Sequence, residues 1–312
     1  MKNNGAINEK FSHIRNYDYE VVCGVSDNKE IPARYEIPRE NTGVLRDQQY
    51  EDCVANVIAQ LAEAFWNNEL GIDEKHSEGF IYGALRKDTS ASPGMITSVA
   101  MELWNKIGTI PDKYFNTTEE MPRIMKIVQE HPELYDMAKK YRIEGYVQVS
   151  GDRAIKDALY GYKRGLVAVS HNGFIGGSHC IMLTGWDDDK NKYLFKNSWG
   201  EKYGDKGFSE INKNEINYVY MPMFKPIQLP FTDVKESDWF YKDVKNTFFC
   251  GMMQGTSDTT FEPERPVTRG EESAILNRQN KKIDERFDMM RDEINEKYEE
   301  LLQLINERTG RA

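Results

Sequence analysis

The sequence predicts an α+β domain of two lobes, followed by a small, mostly helical unit and a terminal amphipathic helix. Three observations carry this. Helical spacing dominates up to about residue 145, strand-like apolar runs take over from Tyr146, and the composition changes near residue 226.

Residues 1–30 read as a leader with a short apolar patch at Tyr19–Cys23, and residues 31–48 as a turn-rich connection. From Cys53, the positions Val54, Val57, Ile58, Leu61, Ala62 and Phe65 follow helical spacing, stopped by Asn67, Asn68 and Gly71. Ser77-Glu78 leads a second helix, Ser92-Pro93-Gly94 breaks the chain, and a third helix runs from Ile96 to Ile107 before Gly108. The charged stretch 113–145 is helical in part. Strands follow at Tyr146–Val149, Leu166–Val169, Cys180–Leu183 and Tyr193–Phe195, and Asp187–Asn191 forms a solvated hairpin turn. Pro222, Pro226 and Pro230 punctuate a linker. Beyond it, Thr268 and Glu271 form a capping box that starts a helix through Leu276. In the last segment, Ile283, Phe287, Met290, Ile294, Tyr298, Leu301 and Ile305 recur in steps of four, three, four, four, three and four. That is close to an eleven-residue repeat, which favours straight or slightly right-handed bundling. The expected boundaries are therefore 1–30, 31–225, 229–280 and 281–309.

Composition narrows the function. A formal charge of −10 argues against nucleic acid or an anionic membrane as the main partner. No apolar run is long enough to insert in a membrane, and no secretory segment follows Met1. Cys23, Cys53, Cys180 and Cys250 are too scattered for a disulfide framework, and neither a CxxC nor a histidine cluster suggests a metal site. Asp187-Asp188-Asp189 lacks the ligand spacing of a calcium loop.

The informative stretch is Gly177-Ser178-His179-Cys180 together with Lys196-Asn197-Ser198-Trp199-Gly200. The turn between their strands can set His179 beside Asn197. An amide oxygen that fixes an imidazole leaves its other nitrogen to face a thiol. Cys53 opens a helix, where the positive end of the helix dipole lowers a thiol pKa.

With these residues in hand, the chain resembles the papain-like cysteine peptidases over roughly residues 31–222. The likeness rests on Arg46-Asp47-Gln48, Cys53-Val54-Ala55, Gly177-Ser178-His179, Asn197-Ser198-Trp199-Gly200 and Tyr203-Gly204-Asp205-Lys206-Gly207-Phe208. It implies Cys53 as nucleophile, His179 as base and then acid, and Asn197 as the residue that orients His179. The pair would rest largely as thiolate and imidazolium. Gln48 would donate to the oxyanion beside the Cys53 N–H, a donor worth about 3–4 kcal/mol in such sites, with Gln49 a possible substitute because the spacing to Cys53 is one residue short. Trp199 would shield the Asn–His bond, Gly94 would offer an open backbone edge to an extended peptide, and Gly177 would line the groove with them. Tyr50-Glu51-Asp52 replaces the usual glycine and small residue before the nucleophile. Two acids there should raise the Cys53 pKa and could favour a basic residue near the scissile bond.

Residues 229–280 resemble an S-layer homology module, through Phe231-x-Asp233-Val234, Trp239, Phe261-x-Pro263 and Thr268-Arg269-Gly270-Glu271. That resemblance implies cell-wall polysaccharide as a partner, with Trp239 and Arg269 as contact candidates. Such modules act in threes, so it also implies self-association through the terminal helix, three chains favoured over two. The expected function is a cysteine endopeptidase without metal or organic cofactor. The alternatives are a lytic enzyme cutting peptide crosslinks of the cell wall, and a surface or virion protein that binds without cutting. Composition does not fix the compartment, since a surface-type module stands without a secretory segment.

Overall fold

The computed structural model describes residues 17–18, 30–70, 73–86, 94–116, 121–174, 177–224, 229–249 and 252–309. The chain divides into two units, Met1–Ile227 and Gln228–Ala312. Cys23, Gly71, Ser92, Pro93, Pro226, Cys250 and most of the leader lie outside the described residues.

The first helix of the first unit, α1 (Cys53–Leu70), buries Val54, Val57, Ile58, Leu61, Ala62 and Phe65, as their spacing predicts. Asn56, Gln60 and Glu63 are buried too, so α1 is enclosed on several sides rather than along a single stripe. Buried polar groups need partners, and Glu63 has three. Its carboxylate accepts from the Val44 N–H at 2.7 Å, from the His76 N–H at 2.8 Å, and from the Arg46 guanidinium. These bonds tie the loop that carries Gln48 to the helix that carries Cys53. Helix α2 (Glu78–Leu85) starts where expected, its cap Ser77 accepting from the Phe80 N–H at 3.0 Å. Helices α3 (Thr97–Lys106), α4 (Met121–Glu130) and α5 (Pro132–Ala138) complete the helical half.

The other half is an eight-stranded sheet: β1 (Tyr17–Asp18), β2 (Arg34–Glu36), β3 (Gly145–Gln148), β4 (Leu166–Ser170), β5 (His179–Asp187), β6 (Lys192–Lys196), β7 (Phe208–Asn212) and β8 (Tyr218–Met223). Their order is β1-β3-β8-β4-β5-β6-β7, and β2 also pairs with β5. All pairings are antiparallel except β1 with β3. The turn after β5 is where the sequence puts it, with Asn191 at φ +53°. Asp188 is not simply solvated there, because Lys156 and Lys213 both pair with it, at 2.9 and 2.6 Å.

Several elements depart from the sequence expectation. β2 lies inside the supposed turn-rich connection, against Gly185, where a Cβ would come within 2.1 Å of the Tyr35 carbonyl oxygen; only glycine admits that approach. Helix α6 (Asp152–Tyr162) interrupts the β-rich half and buries Ile155, Ala158 and Leu159 in the core with Ile181 and Leu183 of β5. Pro222 is not linker punctuation. It lies in β8, opposite Tyr146, and its carbonyl accepts from the Tyr162 hydroxyl at 2.7 Å.

The second unit packs Phe231, Val234 and Val244 into a small core, joined by Phe248 of α7 (Tyr241–Phe249) and by Phe261. The Asp233 carboxylate closes the loop around it by accepting from the N–H groups of Phe261 (2.9 Å) and Glu262 (2.7 Å). The capping box forms as expected: Glu271 N–H donates to Thr268 Oγ1 at 3.2 Å, and Thr268 N–H to Glu271 Oε2 at 2.8 Å. The helix it starts does not stop near Asn280. A single α8 runs Arg269–Thr309, because nothing between Gln279 and Ile283 breaks helix propagation.

Candidate active site

Asn197 follows the last residue of β6, and His179 is the first residue of β5, so the hairpin brings them together. His179 Nε2 lies 2.8 Å from Asn197 Oδ1, and the Ser198 N–H donates to the same oxygen at 2.8 Å. The Ser198 bond fixes which way the amide points, and that in turn assigns the proton on His179 to Nε2. His179 Nδ1 is then the lone-pair nitrogen, and it is buried without a hydrogen-bond partner. The next residue in the chain, Cys180, donates its N–H to Cys53 Sγ at 3.4 Å. The Cys53 sulfur thus lies against the backbone at the start of β5, one residue along the chain from His179. Cys180 is itself a buried strand residue, and its backbone N–H meets the Cys53 sulfur.

Trp199 stacks on the imidazole, with ring centroids 4.6 Å apart and planes at 28°, and Phe174 meets both rings edge-on. His179 and Asn197 are both fully buried. Burial, only partly offset by the Asn197 bond, pushes the His179 imidazolium down to about 4. A charged His179 at neutral pH therefore requires a neighbouring anion, which the Cys53 thiolate would supply. Replacing Trp199 by alanine is expected to admit water and move the His179 titration upward, toward the ordinary histidine value near 6.5. A proton-NMR titration of the ring, in protein with Cys53 blocked, would read this directly.

Gln48 is buried, and its amide is held at both ends: Nε2 donates to the Tyr50 carbonyl at 2.8 Å, and Oε1 accepts from the Ser198 hydroxyl at 2.5 Å. Gln49 is exposed and bonds back to the Asp47 carbonyl at 2.8 Å. Lys196, fully enclosed beside Asn197, donates to the carbonyls of Thr42 (2.9 Å), Gly43 (2.6 Å) and Val44 (3.1 Å). It clamps the Gln48 loop against β6, a role the sequence motif gives no sign of. Gly94 has φ +105°, but its N–H donates to the Tyr82 hydroxyl at 3.2 Å. The expected open edge is thus occupied on its N–H side, and a substrate strand would compete with Tyr82 for it. Gly177 has φ +108° and open space where a side chain would stand. In the second unit, Trp239 is 87% exposed and touches Phe240 edge-on. Neither Trp239 nor Arg269 lines the cavity that Phe261, Arg265, Glu271 and Arg278 help to form in that unit.

Asp52 departs most from expectation. It is buried, with Oδ1 lacking any hydrogen-bond partner. Burial first, and then the nearby Glu78, push its carboxyl up to about 7. Its opposition to a Cys53 thiolate is therefore weaker around neutrality than two ionised acids would produce. Among the described residues, no group of His, Cys, Asp and Glu is arranged to hold a metal ion, and no helix is long and apolar enough to cross a membrane.

The chain is 32% identical over 85 residues to a viral cathepsin of Heliothis zea nuclear polyhedrosis virus. It is 30% identical over 70 residues to the cathepsin B-like cysteine proteinase 3 of Caenorhabditis elegans. These alignments cover 26% and 22% of this chain, and the chain spans only 23% and 19% of those relatives' lengths. Among solved structures, xylellain, a cysteine protease from Xylella fastidiosa, superimposes with a TM-score of 0.57 at 18% identity, covering 72% of this chain and 97% of that one. Digestive procathepsin L2 proteinase from Tenebrio molitor gives 0.55 at 17% identity, covering 72% and 78%. At such identities the likeness is one of fold. The profile of the S-layer homology domain matches residues 230–271. The profile described as papain family cysteine protease matches residues 59–224, more than half of the sequence, and the chain belongs to that family.

Proposed function

We propose that the protein is a cysteine endopeptidase in which Cys53, His179 and Asn197 act together, with Gln48 assisting. The observation that carries this reading is the His179 arrangement: one ring nitrogen fixed on Asn197, the other buried and unpartnered, and the following N–H on the Cys53 sulfur. The thiolate attacks the peptide carbonyl carbon, and the resulting oxyanion is met by the Cys53 N–H and the Gln48 amide. An amide nitrogen carries two N–H groups, and the bond to Tyr50 uses one of them. His179 then gives its Nδ1 proton to the leaving amine, a thioester remains, and a water deprotonated by the same nitrogen releases the acid. Incubation with an epoxysuccinyl inhibitor tests this by mass spectrometry. Selective labelling of Cys53 that disappears in His179→Ala is the expected result. An unreactive Cys53 in folded protein would instead favour a protein that binds without cutting.

A second reading, cleavage of peptide crosslinks in a cell wall, is favoured by the S-layer homology match at residues 230–271. On that reading the module holds the enzyme on wall polysaccharide, with Trp239 and Arg269 as candidates for contact. Zymography on cell walls against casein separates the two hydrolases.

Self-association through α8 is part of the same proposal. The helix exposes Leu276, Ile283, Phe287, Ile294 and Tyr298, five large apolar side chains in near-eleven-residue register. Light scattering is expected to give three copies, and Phe287→Glu with Ile294→Glu to reduce them to one. A monomeric wild-type protein would dispose of this idea.

A further inference from the structure

A cavity of about 360 Å³ opens beside the nucleophile loop, and its lining is unusually charged. Among the described residues, Asp47, Asp52, Glu78 and Asp112 line it against Arg46 and Lys75. Arg46 is already committed to Glu63 and Glu78, so the lining keeps an excess of negative charge. Asp52 is only 4% exposed, and its Oδ1 has no partner. A buried carboxylate oxygen without a hydrogen-bond donor is costly and calls for a ligand or a reason. The residue that follows it in the chain is Cys53, and Gln48 lines the same cavity. Glu51, the second acid before the nucleophile, is not among the lining residues.

We propose that this cavity receives the basic side chain, lysine or arginine, of a substrate residue next to the scissile bond, and that Asp52 is the residue that selects it. The inference rests on the proteolytic reading above and deepens it to a substrate class. A donor-rich cation satisfies the unpartnered oxygen and matches the charge excess, whereas a neutral side chain of equal size leaves both as they are. Asp112 stands across the same space, and burial raises its carboxyl too, a shift that Lys75 and Arg46 oppose. Around Asp52, Glu78 from α2 raises its carboxyl, while Asn56 from α1 and Arg46 from the loop lower it. An incoming cation adds to the lowering side, so binding and ionisation of Asp52 support each other. Selectivity for a basic residue should therefore grow as pH rises through 7.

The test compares peptides that carry lysine or its uncharged isostere norleucine at each position flanking the cleaved bond. At pH 8, the wild-type protein should prefer lysine at one such position by at least tenfold in kcat/KM. In Asp52→Asn this ratio should collapse toward one, and in the wild-type protein it should shrink at pH 5.5. Binding of the same peptides to the Cys53→Ala protein should show the same preference in Kd, and it should be lost when Asp52→Asn is added. Cleavage without a basic preference at any position, or a preference that survives Asp52→Asn, overturns the subsite while leaving the protease intact. Absence of both inhibitor labelling and cleavage, with no lysine preference in binding, overturns both readings.

Discussion

Cys53→Ala is expected to lower peptide hydrolysis by roughly ten-thousandfold to millionfold, the range seen when one member of a nucleophile–base pair is removed. The expectation follows from how few groups share the chemistry. The sulfur is the candidate nucleophile at this end of α1, and no hydrogen bond holds His179 Nδ1 to another group. The substitution removes one buried sulfur and adds nothing, so the melting temperature should move by only a few degrees. His179→Ala should cost nearly as much, and the double variant should be no worse than either alone, because the two residues act as a unit. Measured kcat values for the three proteins, normalised to folded protein by circular dichroism, decide the matter. Additive losses would mean that the residues act separately.

How much of this was legible beforehand depended on whether a signal was local. The pairing of His179 with Asn197 could be read because a polar turn between two apolar runs specifies a hairpin, and the hairpin sets the register. The apolar face of α1 was readable for a similar reason. Its buried polar residues were not, because Glu63 is explained only by Arg46, Val44 and His76, which come from other parts of the chain. Lys196 is a parallel case: in sequence it looks like a charged residue at a strand end, yet three distant carbonyls hold it inside. Helix α6 did carry a readable pattern at Ile155, Ala158 and Leu159, but strands on both sides drew the expectation toward β structure. β8 was hidden by Pro222, since a proline inside an apolar run argues against a strand; the proline sits near the strand end, where it is tolerated. The nucleophile segment is the instructive exception. Its residues depart from the family pattern, and the family profile begins only at residue 59, after Cys53. Cys53 was therefore legible only from its place at the start of a helix and from a short resemblance, and the structure adds the bond from the Cys180 N–H to its sulfur.

That unusual segment also leads to the largest expected effect on stability. Asp52→Asn should stabilise the protein, and the gain should depend on pH in a defined direction. The native carboxyl titrates at about 7, against about 3.9 in an unfolded chain. Between those values the native state holds a proton that the unfolded state has released, so wild-type stability falls as pH rises through that window and levels off above it. Asparagine does not titrate and avoids the loss. The difference in unfolding free energy between variant and wild type should be small at pH 4 and grow to on the order of 4 kcal/mol in favour of the variant at pH 8. Other buried groups slope the opposite way. Burial holds His76 down to about 3, so it adds stability as pH rises toward 6.5, and Lys196, lowered to about 7, does so at higher pH. The absolute curve of either protein therefore mixes several terms, whereas their difference isolates Asp52. Urea denaturation of both proteins at pH 4, 6 and 8 measures it, and a difference that stays flat across these values would show that the carboxyl is not held protonated. A gain at pH 8 would mean that the chain tolerates a destabilising acid beside its nucleophile, a trade-off typical of functional sites and the one expected if Asp52 is kept to meet a cationic substrate.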